Sequence, residues 1–267
     1  LSWAIDNLGK VADWRASAER VFGLLNATEK FDDLVCAASN SRIEVTTIEQ
    51  NVLVFRNFAT STPQGVQQMK PLDLEIREGD RVLLTGETAV ASALIKAVAG
   101  LWPWGTGKIE LPDGATRIFM PPRPYMPSGP LRDAIDYPTE ESTAAHDDMV
   151  IGEALRRVGL DSLVTRLDET AKWDQVLSVE EQQRLGFARL LLKKPAWIFM
   201  EEAFDTLDEA GEKAMVEVLR QEFDRATIVA IGHVGTLNGF ETRQFVLERH
   251  EGLSEIHEIE TTQSLGA

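Results

Sequence analysis

Two short apolar runs in the second half of the chain constrain its fold more than any other feature. They are Ala196–Met200 and Thr227–Ile231, and a helical pattern from about Asp208 to Phe223 lies between them. Short runs of this kind are typical of strands that are buried on both faces, and a connecting helix allows two such strands to pair in parallel. The alternation predicts an α/β fold with a parallel core sheet that is covered by helices on both faces.

Alternating apolar and polar residues predict further strands before this region. They fall at Ile43–Ile48, Val52–Phe58, Leu72–Ile76 and Arg81–Thr85. We expect a helix from about Ser92 to Gly100, an irregular proline-rich loop over 121–138 and mostly helix over 148–193. The chain should therefore have an antiparallel β subdomain before Gly86 and a helical subdomain at about 125–190.

The amino-terminal segment has the pattern of a separate amphipathic helix. Its apolar residues recur at three-to-four spacing, and they are Leu8, Val11, Ala18, Phe22 and Leu25. Such a stripe needs a partner surface, either on its own domain or on a longer helix that continues upstream. We expect residues 1–40 to form this helix and residues 41–267 to form the main domain.

The composition excludes several classes of protein. The chain has 27 Lys and Arg residues against 43 Asp and Glu residues, a formal charge of −16, which argues against nucleic acid as a main partner. The single cysteine, Cys36, excludes an intramolecular disulfide and a cysteine-rich zinc site. The sequence has no run of about 18 apolar residues that would predict a membrane span.

The segment from Arg81 to Lys96 has the frame of a phosphate-binding loop. A buried strand, Gly86, a short loop and a helix follow one another, which is the arrangement in which backbone N–H groups and a helix N-terminus hold phosphates. Ala89 and Ala91 stand where glycines are expected, no lysine precedes Ser92, and the loop is one residue short. The frame alone is weak support for a nucleotide site, because a plain strand–helix connection would look similar.

Two adjacent acids mark the end of the first apolar run. Glu201 and Glu202 follow Met200 directly. Ligand sites of α/β sheets lie at the carboxyl ends of the strands, and paired buried carboxylates are costly without a cation. The pair favours descent from a magnesium site.

The order of the remaining motifs carries a resemblance to a known family. The segment Leu177–Arg189, which begins Leu-Ser-Val-Glu-Glu-Gln-Gln-Arg, is followed by Pro195–Ala203. Then come Asp205-Thr-Leu-Asp208 and, after one helix, Ile231-Gly-His233. Over about residues 41–250 this order resembles the nucleotide-binding domain of ABC transporters, with its Walker A, Q-loop, signature, Walker B, D-loop and switch motifs. Three further segments resemble the branch that contains bacterial peptide- and cobalamin-uptake transporters and peroxisomal fatty-acyl transporters: Ala99–Trp104, Arg123–Pro127 and Leu131–Asp133.

The resemblance implies a fold and a mechanism. The fold would be a P-loop NTPase (RecA-like) parallel core with an antiparallel β and a helical subdomain. Two such domains, as a homodimer or heterodimer, would sandwich ATP and Mg²⁺ and drive a transmembrane domain at the cytoplasmic face of the inner or plasma membrane. The amino-terminal helix would continue from an absent membrane helix, and the chain itself would be a soluble fragment.

The resemblance also implies roles for individual residues. Glu202 would be the general base, His233 the switch residue, and Ser92 and Glu201 would face the magnesium ion. The positions that would contact nucleotide are Gly86, Glu87, Thr88, Ala89, Val90, Ala91, Ser92, Pro122, Ser178, Glu180 and Asp208.

Several of these positions depart from the family pattern. The missing lysine removes a charge-assisted contact of about 1.5–3 kcal/mol. Pro122 lacks the amide of the glutamine expected there, Glu180 replaces a glycine, and Glu201 replaces an aspartate. We expect weak ATP binding at most and negligible hydrolysis. The alternative is a non-hydrolysing pseudo-ATPase that regulates or scaffolds an intact partner. A P-loop kinase or GTPase would not explain the segment Leu177–Arg189.

Overall fold

The structure is a computed structural model that describes residues 2–37, 42–138, 146–233, 235–237 and 239–259. Its α-helices are α1 (Ser2–Ala37), α2 (Thr88–Val98), α3 (Leu131–Asp136), α4 (Asp148–Arg157), α5 (Trp173–Val176), α6 (Val179–Lys193) and α7 (Glu209–Glu222). Its strands are β1 (Glu44–Ile48), β2 (Val52–Thr60), β3 (Leu72–Arg77), β4 (Arg81–Gly86), β5 (Gly105–Pro112), β6 (Arg117–Met120), β7 (Gly129–Pro130), β8 (Thr170–Ala171), β9 (Trp197–Glu201), β10 (Thr227–Ile231), β11 (Arg243–His250) and β12 (Leu253–Ile259).

A six-stranded sheet of order β12-β11-β4-β10-β9-β6 forms the centre of the fold. Its pairs are parallel except for β11 and β12. Alternate residues of each central strand face two different cores: Ile198 packs with the helical side, and Phe199 packs with α2 and the smaller sheet. Both faces are buried, which is why the two runs are apolar throughout and why the predicted α/β class is confirmed.

The second sheet has four strands in the order β1-β5-β2-β3. Strand β2 pairs antiparallel with both β3 and β5, whereas β1 pairs in parallel with β5. The predicted antiparallel β subdomain is present and differs from expectation in two details: one of its pairs is parallel, and β5 comes from sequence that follows Gly86. Helix α2 packs between the two sheets, where Leu94 and Val98 are buried in the shared core.

The helical side of the molecule also differs from expectation at one place. The stretch 121–138, predicted as an irregular loop, contains β7 and α3. Prolines misled that prediction, because Pro130 stands immediately before the first residue of α3, a position that tolerates proline. The mostly helical character of 148–193 is confirmed by α4, a 3-10 helix at Asp161–Arg166, α5 and α6.

The amino-terminal segment forms a single helix that runs from Ser2 to Ala37. Among the stripe side chains that the structure describes, the large ones are exposed: Val11 by 53%, Phe22 by 64% and Leu25 by 53%. Near its carboxyl end the ring of Phe31 packs edge-on against Trp104, with centroids 5.5 Å apart. The first alternative, packing of the stripe on its own domain, is not what the structure has. Within the described residues, no helix is long and apolar enough to cross a membrane.

Candidate functional site at the carboxyl edge of the core sheet

The carboxyl ends of four parallel strands meet at one edge of the core sheet. In the register, Ile231 of β10 lies opposite both Leu84 of β4 and Glu201 of β9, and Met120 of β6 lies opposite Met200. Gly86 is the last residue of β4, and Pro122, Glu202 and His233 lie just beyond the ends of β6, β9 and β10. The structure brings this part of the sequence-based set to a single edge.

The junction between β4 and α2 contains no phosphate-type loop. Gly86 ends the strand with φ +96°, and a Cβ at this position would lie 2.1 Å from the carbonyl oxygen of Leu247. Only Glu87 separates strand from helix, and its carbonyl accepts hydrogen bonds from the amides of Val90 and Ala91 at 3.1 Å. The prediction of a loop up to Ser92 is wrong. Alanine favours helix where glycine would not, and the shortened segment closes directly into the first turn.

The first turn of α2 divides into a buried and an exposed side. Val90 and Ala91 are 2% and 1% exposed and belong to the core between the sheets, whereas Thr88 and Ala89 face solvent. The backbone N–H groups of Thr88 and Ala89 lie in the first turn of a helix, where intrahelical acceptors are lacking. Beside them stands the carboxylate of Glu87, 3.7 Å from Arg249 Nε. This end of α2 can therefore offer few donors to a phosphate and carries a negative charge at its cap.

Ser92, Lys96 and Glu201 form a closed polar triad behind this turn. Ser92 is 7% exposed, and its hydroxyl donates to Glu201 Oε1. The ammonium group of Lys96 donates to Ser92 Oγ at 2.6 Å and lies 3.6 Å from Glu201 Oε1. Lys96 is one helical turn beyond Ser92, so both side chains project from the same face of α2 towards the end of β9. The partly buried carboxylate of Glu201 is thus matched by a cation of the chain itself.

Glu202 and His233 follow the neighbouring strand ends. Glu202 has φ +50°, an unusual backbone conformation for a non-glycine residue, and its amide donates to the carbonyl of Ile231 at 3.0 Å. The side chain of His233 is 83% exposed, with Nε2 3.7 Å from Asp205 Oδ2. Both residues stand at the edge of the core sheet where the resemblance to ABC nucleotide-binding domains would place a nucleotide. Their side chains are accessible to such a ligand.

A polar groove of about 430 Å³ adjoins His233. It is lined by Phe204, Asp205, Leu207, Glu212, His233, Gly235 and Thr236. Burial raises the pKa of the Glu212 carboxyl, and the nearby charges of Asp205 and Glu209 raise it further. The groove is therefore acidic rather than suited to a phosphate group.

The remaining predicted site residues serve local structure. Ser178 caps α6 in a reciprocal arrangement with Glu181, and Asp208 caps α7 by accepting from the amide of Gly211 at 2.7 Å. Glu180, in the first turn of α6, accepts a hydrogen bond from Arg184 Nε at 2.9 Å. These contacts hold Ser178, Glu180 and Asp208 at helix starts; none of the contacts joins them to the triad. Pro122 is half-buried just beyond β6.

Sequence reasoning missed Lys96. Its spacing of four residues from Ser92 was visible, but its role depends on Glu201, which is 109 residues beyond Ser92 in the chain. It missed Arg189 as well, whose buried guanidinium donates to the carbonyls of Ala134 and Tyr125 and whose pKa is lowered to about 10 by burial.

The triad does not fit a magnesium ion. The described residues contain no group of three or more His, Cys, Asp or Glu side chains that could hold a metal. Of the two expected ligands, Ser92 already donates its proton to Glu201 and accepts from Lys96. A divalent ion would have to displace an ammonium group that already neutralises the carboxylate.

Comparisons with known proteins identify the family. No protein-family model matches the chain. It is 34% identical over 197 residues to an uncharacterised ABC transporter ATP-binding protein of Haemophilus influenzae, covering 73% of this chain and 33% of that protein. It is also 32% identical over 274 residues to an uncharacterised ABC transporter ATP-binding protein of Synechocystis, covering 97% of this chain and 40% of that protein. The chain belongs to the ABC transporter ATP-binding proteins.

Two further comparisons refine this assignment. The mouse lysosomal cobalamin transporter is 33% identical over 198 residues, which cover 69% of this chain and 32% of that protein. A bacterial Atm1-family ABC exporter, solved with ATP bound, matches 83% of this chain and 40% of its own with a TM-score of 0.67 and 19% identity, which supports the ABC-type fold. The family resemblance predicted from the motifs is confirmed. The chain spans 32% to 40% of the length of these three curated relatives.

Proposed function

We propose that this member of the ABC transporter ATP-binding family is a catalytically impaired nucleotide-binding domain. Its part would be to pair with a second nucleotide-binding domain and to couple nucleotide-dependent association to a transmembrane domain at the cytoplasmic face of a membrane. ATP would bind weakly, and hydrolysis would be negligible. Glu202 and His233 remain the residues that would face the reacting phosphate.

The direct start of α2 at Thr88 is the observation that carries this proposal. A phosphate loop needs several consecutive amides that turn around the anion, whereas here the amides of Val90 and Ala91 are used within the helix. No lysine stands at the position that would meet the β- and γ-phosphates. Since a micromolar site requires about 8 kcal/mol of binding free energy, loss of these contacts leaves little to hold ATP.

The second candidate is a pseudo-ATPase that scaffolds an intact ATPase subunit. It is favoured by the contrast between the altered sheet edge and the well-formed starts of α6 and α7, where Ser178 and Asp208 make complete caps. A domain kept for assembly needs these surfaces but does not need a working phosphate loop. This candidate function predicts a heterodimer in which only the partner hydrolyses ATP.

Calorimetric titration with MgATP tests the proposal. The unmodified chain is compared with a repaired variant that carries Ala89→Gly, Ala91→Gly and a lysine inserted before Ser92. We expect millimolar or no binding by the first and micromolar binding by the second, a gain of about 4 kcal/mol. Adding Glu202→Gln to the repaired variant should keep the affinity and abolish any hydrolysis that the repair restores.

Tight binding by the unmodified chain would overturn the proposal and point to an unconventional active ATPase. Failure of both chains to bind would place the defect elsewhere, in Pro122, Glu180 or Glu201, and would contradict the importance given to the loop. A second experiment mixes the unmodified chain with an active nucleotide-binding domain and measures ATPase activity per active subunit. It distinguishes a chain that scaffolds an active partner from one that is merely inactive.

A further inference from the structure

We propose that Lys96 is the resident cation of this site, in place of a divalent metal. The inference rests on the proposed function, because it concerns the same sheet edge, but it makes a separate claim: the chain is built to keep Glu201 and Ser92 satisfied without metal. The class of ligand excluded is a divalent cation such as Mg²⁺ or Mn²⁺.

The hydrogen-bond directions support this assignment. Ser92 has one proton, which it gives to Glu201, and its oxygen accepts from Lys96. The side chain of Glu201 is only 15% exposed, so water solvates its negative charge poorly and a nearby cation stabilises it. Lys96 supplies that charge at 3.6 Å, and its ammonium group reaches the same two oxygens that a metal would need.

The exposure of Lys96 explains how it can enter the site. Its side chain is 44% exposed, and its ammonium group contacts the buried hydroxyl of Ser92 and lies near the partly buried Glu201. The four-residue step from Ser92 fixes the reach, since residues at this spacing lie one above the other on a helix. A cation tethered in this way needs no free ion from solvent, and it disfavours entry of one by charge repulsion.

Removal of the cation tests the inference without nucleotide. Lys96→Met keeps the length of the side chain and removes its charge, which leaves Glu201 unmatched. We expect the folding equilibrium constant from urea unfolding to fall about tenfold. Mn²⁺ alone, at about twice its Kd, should then raise that constant about threefold in Lys96→Met. It should leave the unmodified chain and Lys96→Arg unchanged, because both retain a cation.

The double variant Lys96→Met/Glu201→Gln provides the matched control. With both charges gone, it should recover much of the lost stability and lose the response to Mn²⁺. If Lys96→Met does not fold alone, folding of the double variant supports the charge pair, whereas failure of both contradicts it, since packing would then be the cause.

Stabilisation of the unmodified chain by Mn²⁺ would overturn the inference, as would an unchanged stability of Lys96→Met. Neither result involves ATP. Tight ATP binding with no response to Mn²⁺ would therefore contradict the proposed function alone, and Mn²⁺ binding without ATP binding would contradict this inference alone.

Discussion

Two carboxylates of low exposure, the buried Asp136 and the partly buried Glu201, are neutralised by helix lysines in different ways. Asp136, at the end of α3, accepts a hydrogen bond directly from Lys193 at 2.7 Å and contacts His146 Nδ1 at 2.8 Å. Glu201 receives its hydrogen bond from Ser92, and the ammonium group of Lys96 stands further away, at 3.6 Å. Asp136 therefore has two direct partners, whereas the Ser92 hydroxyl bridges Glu201 and Lys96.

The two lysines also differ in exposure. The side chain of Lys193 is 20% exposed, whereas that of Lys96 is 44% exposed. The pair at Asp136 ties α3 to α6 and has the features of a fixed structural contact. The pair at Glu201 stands at a ligand edge, where water reaches the ammonium group. Burial and direct contact, more than the type of residue, should therefore decide how much each pair contributes to stability.

The largest effect is expected at the directly bonded pair. Lys193→Met leaves Asp136 buried without its ammonium partner, and we expect the free energy of unfolding to fall by about 3 kcal/mol. The neighbouring Lys194 is exposed and is absent from this pair, so Lys194→Met should change stability by less than about 0.5 kcal/mol. Urea unfolding at neutral pH measures both. Equal losses of stability from Lys193→Met and Lys194→Met would contradict the role given to the contact between Lys193 and Asp136.

Acid should weaken the same pair in a defined pH range. Burial by itself raises the pKa of Asp136, but hydrogen bonds from Lys193 and His146 outweigh it, so the pKa lies below the ordinary value of 3.8. Because the folded pKa is lowered, the stabilisation is complete above pH 3.8 and is lost as the pH falls below it towards the folded pKa.

The variant Asp136→Asn isolates this contribution. It should be less stable than the unmodified chain at neutral pH, and it should lose less stability on acidification. The loss on acidification that is assigned to Asp136 should be smaller than the effect of Lys193→Met. Urea midpoints from neutral pH to below 3.8 test this, and parallel pH profiles of the two chains would contradict it.

A smaller effect is expected at the bridging hydroxyl. Ser92→Ala removes the hydrogen bond to Glu201 but leaves Lys96 nearby, so the expected loss is about 1 kcal/mol. Ser254 is a matched control because it is fully buried and lies 3.5 Å from a carboxylate oxygen of Glu87. At that longer distance Ser254→Ala should cost about half as much. A larger loss from Ser254→Ala would show that burial of the hydroxyl, rather than the triad, sets the effect.

The smallest effect is expected where a short ion pair is exposed. Lys213 lies 2.6 Å from Glu209, yet the two side chains are 58% and 83% exposed. Lys213→Met should change the free energy of unfolding less than any of the variants above, because solvent screens the pair. The same urea assay checks it, and the difference should vanish at high salt. A loss as large as that of Lys193→Met would show that distance alone decides the strength of these pairs.

The core strands were predictable because their physics is local. Residues 227–231 were predicted and observed as one strand, since both faces are buried and every position is apolar or small. Strands β11 and β12 were not predicted. In β11, Phe245 and Leu247 are buried but the last three residues are exposed and polar, so no continuous apolar run marks the strand.

The location of several predicted site residues could be inferred from sequence, whereas the backbone at Gly86 could not. The motif order placed Glu201, Glu202 and His233 at the ends of strands that meet at one edge, because parallel strands share their carboxyl ends. The loop at Gly86 was drawn from the family pattern, whereas the local alanines and the shorter segment favour helix. Lys96 could not be assigned from sequence, since its contact with Glu201 depends on how α2 packs against β9.

We infer that the start of α2 and Lys96 stand where the family pattern has a phosphate loop and a metal ion. The most direct test is amide hydrogen exchange in the first turn of α2, measured by NMR with and without MgATP. The amides of Val90 and Ala91 donate to the carbonyl of Glu87, so they should exchange slowly in the free chain, and MgATP should not change their rates. Fast exchange in the free chain, followed by protection on addition of MgATP, would mean that a phosphate loop exists at Gly86–Ser92 and that the closed edge described here is wrong.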